Sequence, residues 1–198
     1  MMIDELLSSG ITAEKRNYSA GDIIFSSGEE TQYYYIILQG AVKLINVNGT
    51  PKEFIQEIRW ENQGIAEFTL FVDEPYPFTA IAIADCMLIS FPKHDLISLI
   101  KDRPEMNLYF LRKLSESIHQ EFLTKDIYLE NDNCDKVRLL LNYLKRKHTD
   151  STPYSFSISL TKLEIAGMTG LSMQKVSTTI KKMEKEKLLK IVDHKIFY

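Results

Sequence analysis

Thr161-Lys162-Leu163-Glu164-Ile165-Ala166 leads through Gly170-Leu171-Ser172 into Met173-Gln174-Lys175-Val176, and the pattern continues to Glu186. Its first four residues form a capping box: the Thr hydroxyl and the Glu carboxylate can each satisfy an N–H left unpaired at a helix start. Ala166 has no bulk beyond Cβ, so a second helix can cross it closely. Gly170 can take the left-handed conformation that ends a helix, and Ser172 can cap the next one. The spacing predicts helix, tight turn, helix, the layout of a helix-turn-helix. In the second helix Val176, Ile180 and Met183 share one face. Turning about 100° per residue places Gln174, Thr178, Lys181 and Lys185 opposite them. A core face backed by an amide, a hydroxyl and lysines suits insertion into a nucleic-acid groove, with cations on phosphates and polar tips on base edges. Leu188 to Val192, Asp193-His194 and Lys195 to Tyr198 then read as a two-stranded hairpin, a wing. The competing reading is a structural helical hairpin with a solvated basic face.

The charge distribution favours the first reading. The chain has 198 residues, 24 Lys+Arg and 27 Asp+Glu, for a net charge of −3. Residues 135–198 hold 13 basic and 6 acidic residues, a net of +7. The first 134 residues hold the remaining 11 basic and 21 acidic residues, a net of −10. An acidic part joined to a basic part directs a polyanionic partner to the C-terminal region.

Upstream, from Tyr18 to Phe91, short apolar runs are separated by five of the eight glycines. The runs are Ile23-Ile24-Phe25, Tyr33 to Leu38, Ala41 to Val47, Phe54 to Ile58, Thr79 to Ala84 and Met87 to Phe91. Such β-branched and aromatic runs predict an antiparallel sandwich or barrel. Asn48-Gly49 signals a hairpin because both residues accept positive φ. Pro92 closes the last strand.

After His94 the period becomes helical. Asp95 to Ile100 predicts a short helix, and Pro104 can open the next at its first turn. Leu108, Leu111, Leu114, Ile118 and Phe122 recur at three- and four-residue spacing, and Leu123 and Ile127 widen the stripe. From Pro104 to Leu129 that is 26 residues, about 39 Å of helix. A seam against a second copy's helix explains so long a stripe, and packing along the chain's own barrel is the alternative. Glu130 to Asp135 is a polar break and reads as a hinge. Val137, Leu140, Leu141 and Leu144 then resume helical spacing up to the basic cluster Lys145-Arg146-Lys147-His148. Asp150 to Pro153 makes a turn, and Tyr154 to Ile158 alternates like a short strand.

Several classes are disfavoured. No apolar run reaches the length of a membrane span, and the Met1 to Leu7 stretch lacks the basic and apolar regions of a secretory signal. Two cysteines, Cys86 and Cys134, make neither a disulfide framework nor a four-ligand metal cluster. They read as a buried thiol and a linker thiol. The expectation is a cytoplasmic protein with no metal.

In order and spacing, these pieces resemble the catabolite activator and fumarate–nitrate regulator (Crp/Fnr) superfamily. The likeness covers Tyr18 to Tyr198. It is carried by Tyr18-Ser19-Ala20-Gly21-Asp22-Ile23-Ile24-Phe25, Gly28-Glu29, and Tyr35 to Leu44. It continues at Ala66-Glu67-Phe68-Thr69-Leu70-Phe71, Thr79 to Ala82, and Leu160 to Leu188. The resemblance implies an α+β fold: a cyclic-nucleotide-binding-like β-roll over 1–103, a dimerisation helix and hinge over 104–134, and a winged helix-turn-helix over 135–198. It implies a homodimeric transcription regulator bound to a palindromic operator in double-stranded DNA, with RNA polymerase as a further partner. Ser172, Met173, Gln174, Lys175, Thr178, Lys181 and Lys182 become the expected DNA-binding residues. Leu108, Leu111, Leu114, Ile118 and Phe122 become the expected dimer interface.

Two departures refine this. In nucleotide-binding relatives a Gly-Glu pair holds the ribose and an Arg-Ser pair the phosphate. Here Ala66 precedes Glu67, the Arg-Ser positions fall within Tyr76-Pro77-Phe78, and no Lys or Arg occurs from Trp60 to Pro92. A buried phosphate without a cation is costly, so cyclic AMP is not expected to bind in the usual way. Glu67, Tyr76 and Phe78 remain the candidate effector pocket, with an unknown small molecule or none. Tyr33, Tyr34, Tyr35 and Trp60 could also line an apolar pocket or simply pack the core. In the reading helix, the positions where the best-known relative uses Arg, Glu and Arg are Met173, Gln174 and Thr178, which favours an A·T-richer half-site.

No cofactor is expected. Two cysteines are too few for an iron–sulfur sensor, and the four histidines lie outside the β-rich region, unlike a metal-dependent cupin. A haem on His94 or His119 stays open beside the reading of both as surface histidines. The sequence carries no nucleophile–base pair of an enzyme. The remaining alternative is a sensor that dimerises with a partner regulator without reading DNA itself.

Overall fold

The computed structural model describes residues 2–46, 53–146, 148–150 and 152–198. The Asn48-Gly49 turn, Lys147 of the basic cluster and Ser151 of the following turn lie outside the described residues. The chain divides into two compact units, Met1–Ser117 and Ile118–Tyr198.

In the first unit, α1 (Met2–Ser8) precedes β1 (Glu14–Tyr18), β2 (Ile23–Phe25), β3 (Tyr33–Gln39), β4 (Ala41–Asn46) and β5 (Phe54–Trp60). β6 (Gly64–Ile65), a 3-10 turn (Glu67–Phe71), β7 (Thr79–Ala82) and β8 (Cys86–Pro92) complete the β-roll. All pairings are antiparallel, in two four-stranded sheets ordered β1-β8-β3-β6 and β2-β7-β4-β5. β1 and β6 escape the sequence pattern. β1 reads Glu-Lys-Arg-Asn-Tyr, a charged edge strand with three of its five residues in water.

The unbroken apolar run of β3 has a simple cause. Tyr35 and Ile37 point into the roll against Phe25, Val42, Leu44 and Leu88. Tyr34 and Ile36 point the other way, onto a second core with Leu6, Leu96, Ile100 and Phe110. Successive strand side chains face opposite sides, so a strand buried on both faces cannot alternate. Gly64 is required by this packing: a Cβ there would collide with the Tyr34 hydroxyl.

α2 (Lys93–Asp102) covers that outer core, and α3 (Pro104–Leu129) follows with its 26 residues as expected. The polar break is shorter than the sequence suggests. Asp132 accepts the backbone N–H groups of Cys134 and Asp135, so α4 starts at Asn133 and runs to Lys145. Asn133, Cys134 and Asp135 are therefore the first turn of a helix rather than linker.

In the second unit, β9 is only Ser157–Ile158, because Tyr154 takes φ 63 and turns the chain before it. α5 (Lys162–Thr169) has the full capping box of Thr161 and Glu164 and ends on Gly170 at φ 69. α6 (Met173–Lys185) starts at the Ser172 cap, whose hydroxyl accepts the Lys175 N–H at 3.2 Å. β10 (Lys190–Val192) and β11 (Lys195–Phe197) form the wing, and β9 pairs with β11 as its third strand. Val137, Leu140, Leu141, Ile165, Val176, Ile180 and Met183 are buried and form the core of this unit. Among the described residues, no helix is long and apolar enough to cross a membrane.

Candidate functional site

α6 separates its faces as the sequence requires. Val176, Thr179, Ile180 and Met183 are buried, while Ser172, Met173, Gln174, Lys175, Thr178, Lys181, Lys182 and Lys185 are exposed. Gln174, Thr178, Lys181 and Lys185 fall within an arc of about 60°. Met173 lies to one side of that arc and Lys175 and Lys182 to the other.

The local hydrogen bonds fix what each tip can offer. Thr178 Oγ1 donates to the Gln174 carbonyl at 3.0 Å. Its proton is therefore engaged, which leaves the exposed oxygen as an acceptor. Ser172 Oγ accepts the Lys175 N–H, so its own proton remains for an anion such as a phosphate. The Cys134 sulfur, with Glu186 and Asp132, raises the Lys182 ammonium above the ordinary lysine value, which keeps it charged beside the start of α4.

On α3, Leu108, Leu111, Ile118 and Phe122 are 64%, 59%, 57% and 66% exposed, and Leu114 is half-buried. Four of these five residues are thus uncovered in the single chain, whereas Ile127, expected to widen the stripe, is buried.

In the β-roll, the three candidate effector residues separate. Tyr76 is buried and stacks on Phe25 at 3.8 Å between centroids. Its hydroxyl donates to the Tyr33 carbonyl at 2.8 Å and accepts the Tyr33 N–H at 3.2 Å. Phe78 is buried and meets Phe68 edge-on. Both rings are core packing. Tyr34 and Tyr35 are also core, whereas Trp60 is exposed. His94 and His119 are exposed, and among the described residues no group of three or more metal-ligating side chains comes together.

Glu67 lies elsewhere and has company that sequence reasoning missed. It is 1% exposed, and its Oε1 accepts the Ser117 hydroxyl at 2.7 Å and lies 3.3 Å from Arg59 Nη2. The same Arg59 nitrogen reaches Ser117 Oγ at 3.2 Å and Glu57 Oε2 at 2.9 Å. Oε2 of Glu67 is buried without a hydrogen-bond partner among the described residues. Tyr34 and Tyr109 border the carboxylate. Burial and the nearby Glu67 charge push the Tyr109 phenol up to about 12, and the same two causes raise Tyr34 well above its usual value. The sequence signal was Arg59 itself, one residue before the cation-free stretch, but its meaning depends on where β5 delivers it.

Comparison with known proteins agrees with both halves of this geometry. A family model described as "Cyclic nucleotide-binding domain" matches residues 15–103, and one described as "Crp-like helix-turn-helix domain" matches residues 137–197. The chain is 24% identical over 178 residues to the HTH-type transcriptional regulator ArcR of Staphylococcus epidermidis, covering 88% of this chain and 77% of that protein. It is 24% identical over 166 residues to the CRP-like cAMP-activated global transcriptional regulator of Mycobacterium tuberculosis, covering 83% and 74%. The fold matches that of the c-di-GMP responsive global regulator CLP of Xanthomonas campestris with a TM-score of 0.80 at 18% identity, covering 98% of this chain and 96% of that one. A nucleotide-domain roll, a long helix and a winged reading helix follow one another here in the order these regulators share, and the chain belongs to the Crp/Fnr family of DNA-binding transcription regulators.

Proposed function

We propose that this protein is a sequence-specific regulator that binds a two-fold symmetric operator as a homodimer and does not respond to cyclic AMP. Domain roles follow the expected division at 1–103, 104–134 and 135–198. The exposed arc of α6 opposite its buried face carries the reading. Gln174 and Thr178 face bases, while Ser172, Lys175, Lys181 and Lys182 position phosphates. The Gln174 amide can pair bidentately with adenine. Thr178 offers an acceptor to the amino group of adenine or cytosine and a methyl to thymine. Met173 adds an apolar contact. The half-site is accordingly A·T-rich.

Two copies pair along Leu108, Leu111, Leu114, Ile118 and Phe122, which accounts for bulky apolar side chains left in water on α3. RNA polymerase is the partner through which such a dimer acts on transcription. Two observations support independence from cyclic AMP. Glu67 already has donors from the chain itself, and Tyr76-Pro77-Phe78 supplies no cation for a phosphate. An electrophoretic shift with genomic fragments tests the regulator reading, and absence of any shifted fragment contradicts it. A thermal-shift titration with cyclic AMP and cyclic GMP tests the second claim, and stabilisation by either at micromolar ligand contradicts it.

A further inference from the structure

The cluster around Glu67 joins three elements, two of them close in sequence and the third fifty positions further on. Arg59 is the penultimate residue of β5, Glu67 opens the 3-10 turn, and Ser117 lies in α3. The Arg59 and Glu67 side chains are only 9% and 2% exposed. Burying such a pair is expensive and adds little net stability over apolar packing, so its presence calls for a positional role. The turn presenting Glu67 is itself strained. Ala66 sits in the left-handed region at φ 66, held there by Thr69, whose N–H and hydroxyl both donate to the Ala66 carbonyl. Oε1 of Glu67 thus receives, from within the chain, the donors that a polar ligand would otherwise bring.

Ser117 also occupies a telling place on α3. At about 100° per residue, it stands about 150° round the helix from the exposed pair Leu108 and Leu111 of the same unit. Fastening Ser117 to the roll therefore turns Leu108 and Leu111 outward.

We propose that Arg59 acts as a built-in ligand of Glu67, so that the Arg59–Glu67–Ser117 cluster latches the first half of α3 to the roll without any effector and keeps the seam for a second copy in place. The DNA consequence rests on the regulator reading above. A nucleotide competing for Oε1 of Glu67 would have to draw it away from Arg59 and leave a buried cation without one of its partners, and only the buried Oε2 is left to it otherwise. The latch therefore makes operator binding constitutive.

The test uses the full chain, Ser117→Ala and Arg59→Met. Operator affinity is measured without nucleotide and with cyclic AMP or cyclic GMP, and hydrogen exchange is followed in peptides covering 104–123. Wild type should bind operator with no nucleotide present, and either nucleotide should change affinity by less than about twofold. Ser117→Ala removes one hydroxyl and should still fold. It should speed exchange in α3 and weaken operator binding by about tenfold, and Arg59→Met should do so more strongly. A nucleotide that tightens wild-type binding about tenfold, or Ser117→Ala with unchanged α3 exchange, overturns the latch. Wild type that binds no duplex at all overturns the regulator reading, and the exchange data still judge the latch.

Discussion

Ser117 donates a 2.7 Å hydrogen bond to Glu67 fifty positions earlier in the chain, and that carboxylate is 1% exposed. With Arg59 3.3 Å away on the same oxygen, the stability of the cluster depends on all three members. Arg59→Met should destabilise the protein by about 3 kcal/mol, because it strands a buried carboxylate. Ser117→Ala should cost about 1.5 kcal/mol. Urea unfolding read by circular dichroism checks both, and equal, small effects would contradict the assignment of Arg59 as the principal counter-charge.

Ala66 should be improvable. Its φ of 66 costs a non-glycine residue about 1 kcal/mol, and Ala66→Gly should recover most of it as a higher unfolding midpoint. A lower midpoint would show that the buried Ala66 methyl packs for more than the strain it carries.

Gln174→Ala and Lys181→Ala should fail differently. The first should relax discrimination at one base pair by about 1–3 kcal/mol. The second should weaken binding to all sequences alike and reduce the salt slope by about one. Anisotropy titrations over a salt series with single-base operator variants distinguish the two. A uniform loss from Gln174→Ala would remove it from base reading.

Ser172 is assigned two jobs that substitution can separate. Ser172→Asp retains an acceptor for the Lys175 N–H, so stability should hold, while the added charge should repel a DNA phosphate. Ser172→Ala loses the cap and should cost about 1 kcal/mol of stability. Thermal melts and operator titrations of both variants provide the check, and full DNA affinity in Ser172→Asp would place the phosphate elsewhere.

Acid should loosen α4. The backbone N–H groups of Asp135 and Cys134 hold the Asp132 carboxyl below its ordinary value. A depressed folded-state value means that the stabilisation is complete above the unfolded aspartate value and is lost as pH falls through the folded one. Asp132→Asn preserves the cap geometry and should flatten that part of the stability–pH profile. An unchanged acid limb would contradict the assignment.

What the sequence disclosed depended on whether the cause was local. The Thr161–Glu164 box, Gly170, the Ser172 cap and the wing hairpin are local chemistry, and each stands where its residues indicated. Thr179 is buried among aliphatic residues of α6, which sets the helix phase that places Gln174 and Thr178 outward. β1 was hidden because its charges protect a sheet edge. Tyr76 and Phe78 could be lining or core on composition alone, and only the stacking on Phe25 and the contact with Phe68 decides. Arg59 stood in plain view but its role did not, for a different reason: that role needs β5, the 3-10 turn and α3 brought together, a relation that spacing along the chain does not encode.

The most direct measurement is selection of duplexes from a random library by the purified full chain at low salt with no nucleotide added. The account predicts enrichment of a two-fold symmetric site with A·T-rich halves, bound by two copies of the chain. A monomeric protein that enriches nothing would contradict it, and a G-dominated half-site would contradict the assignment of Gln174 and Thr178.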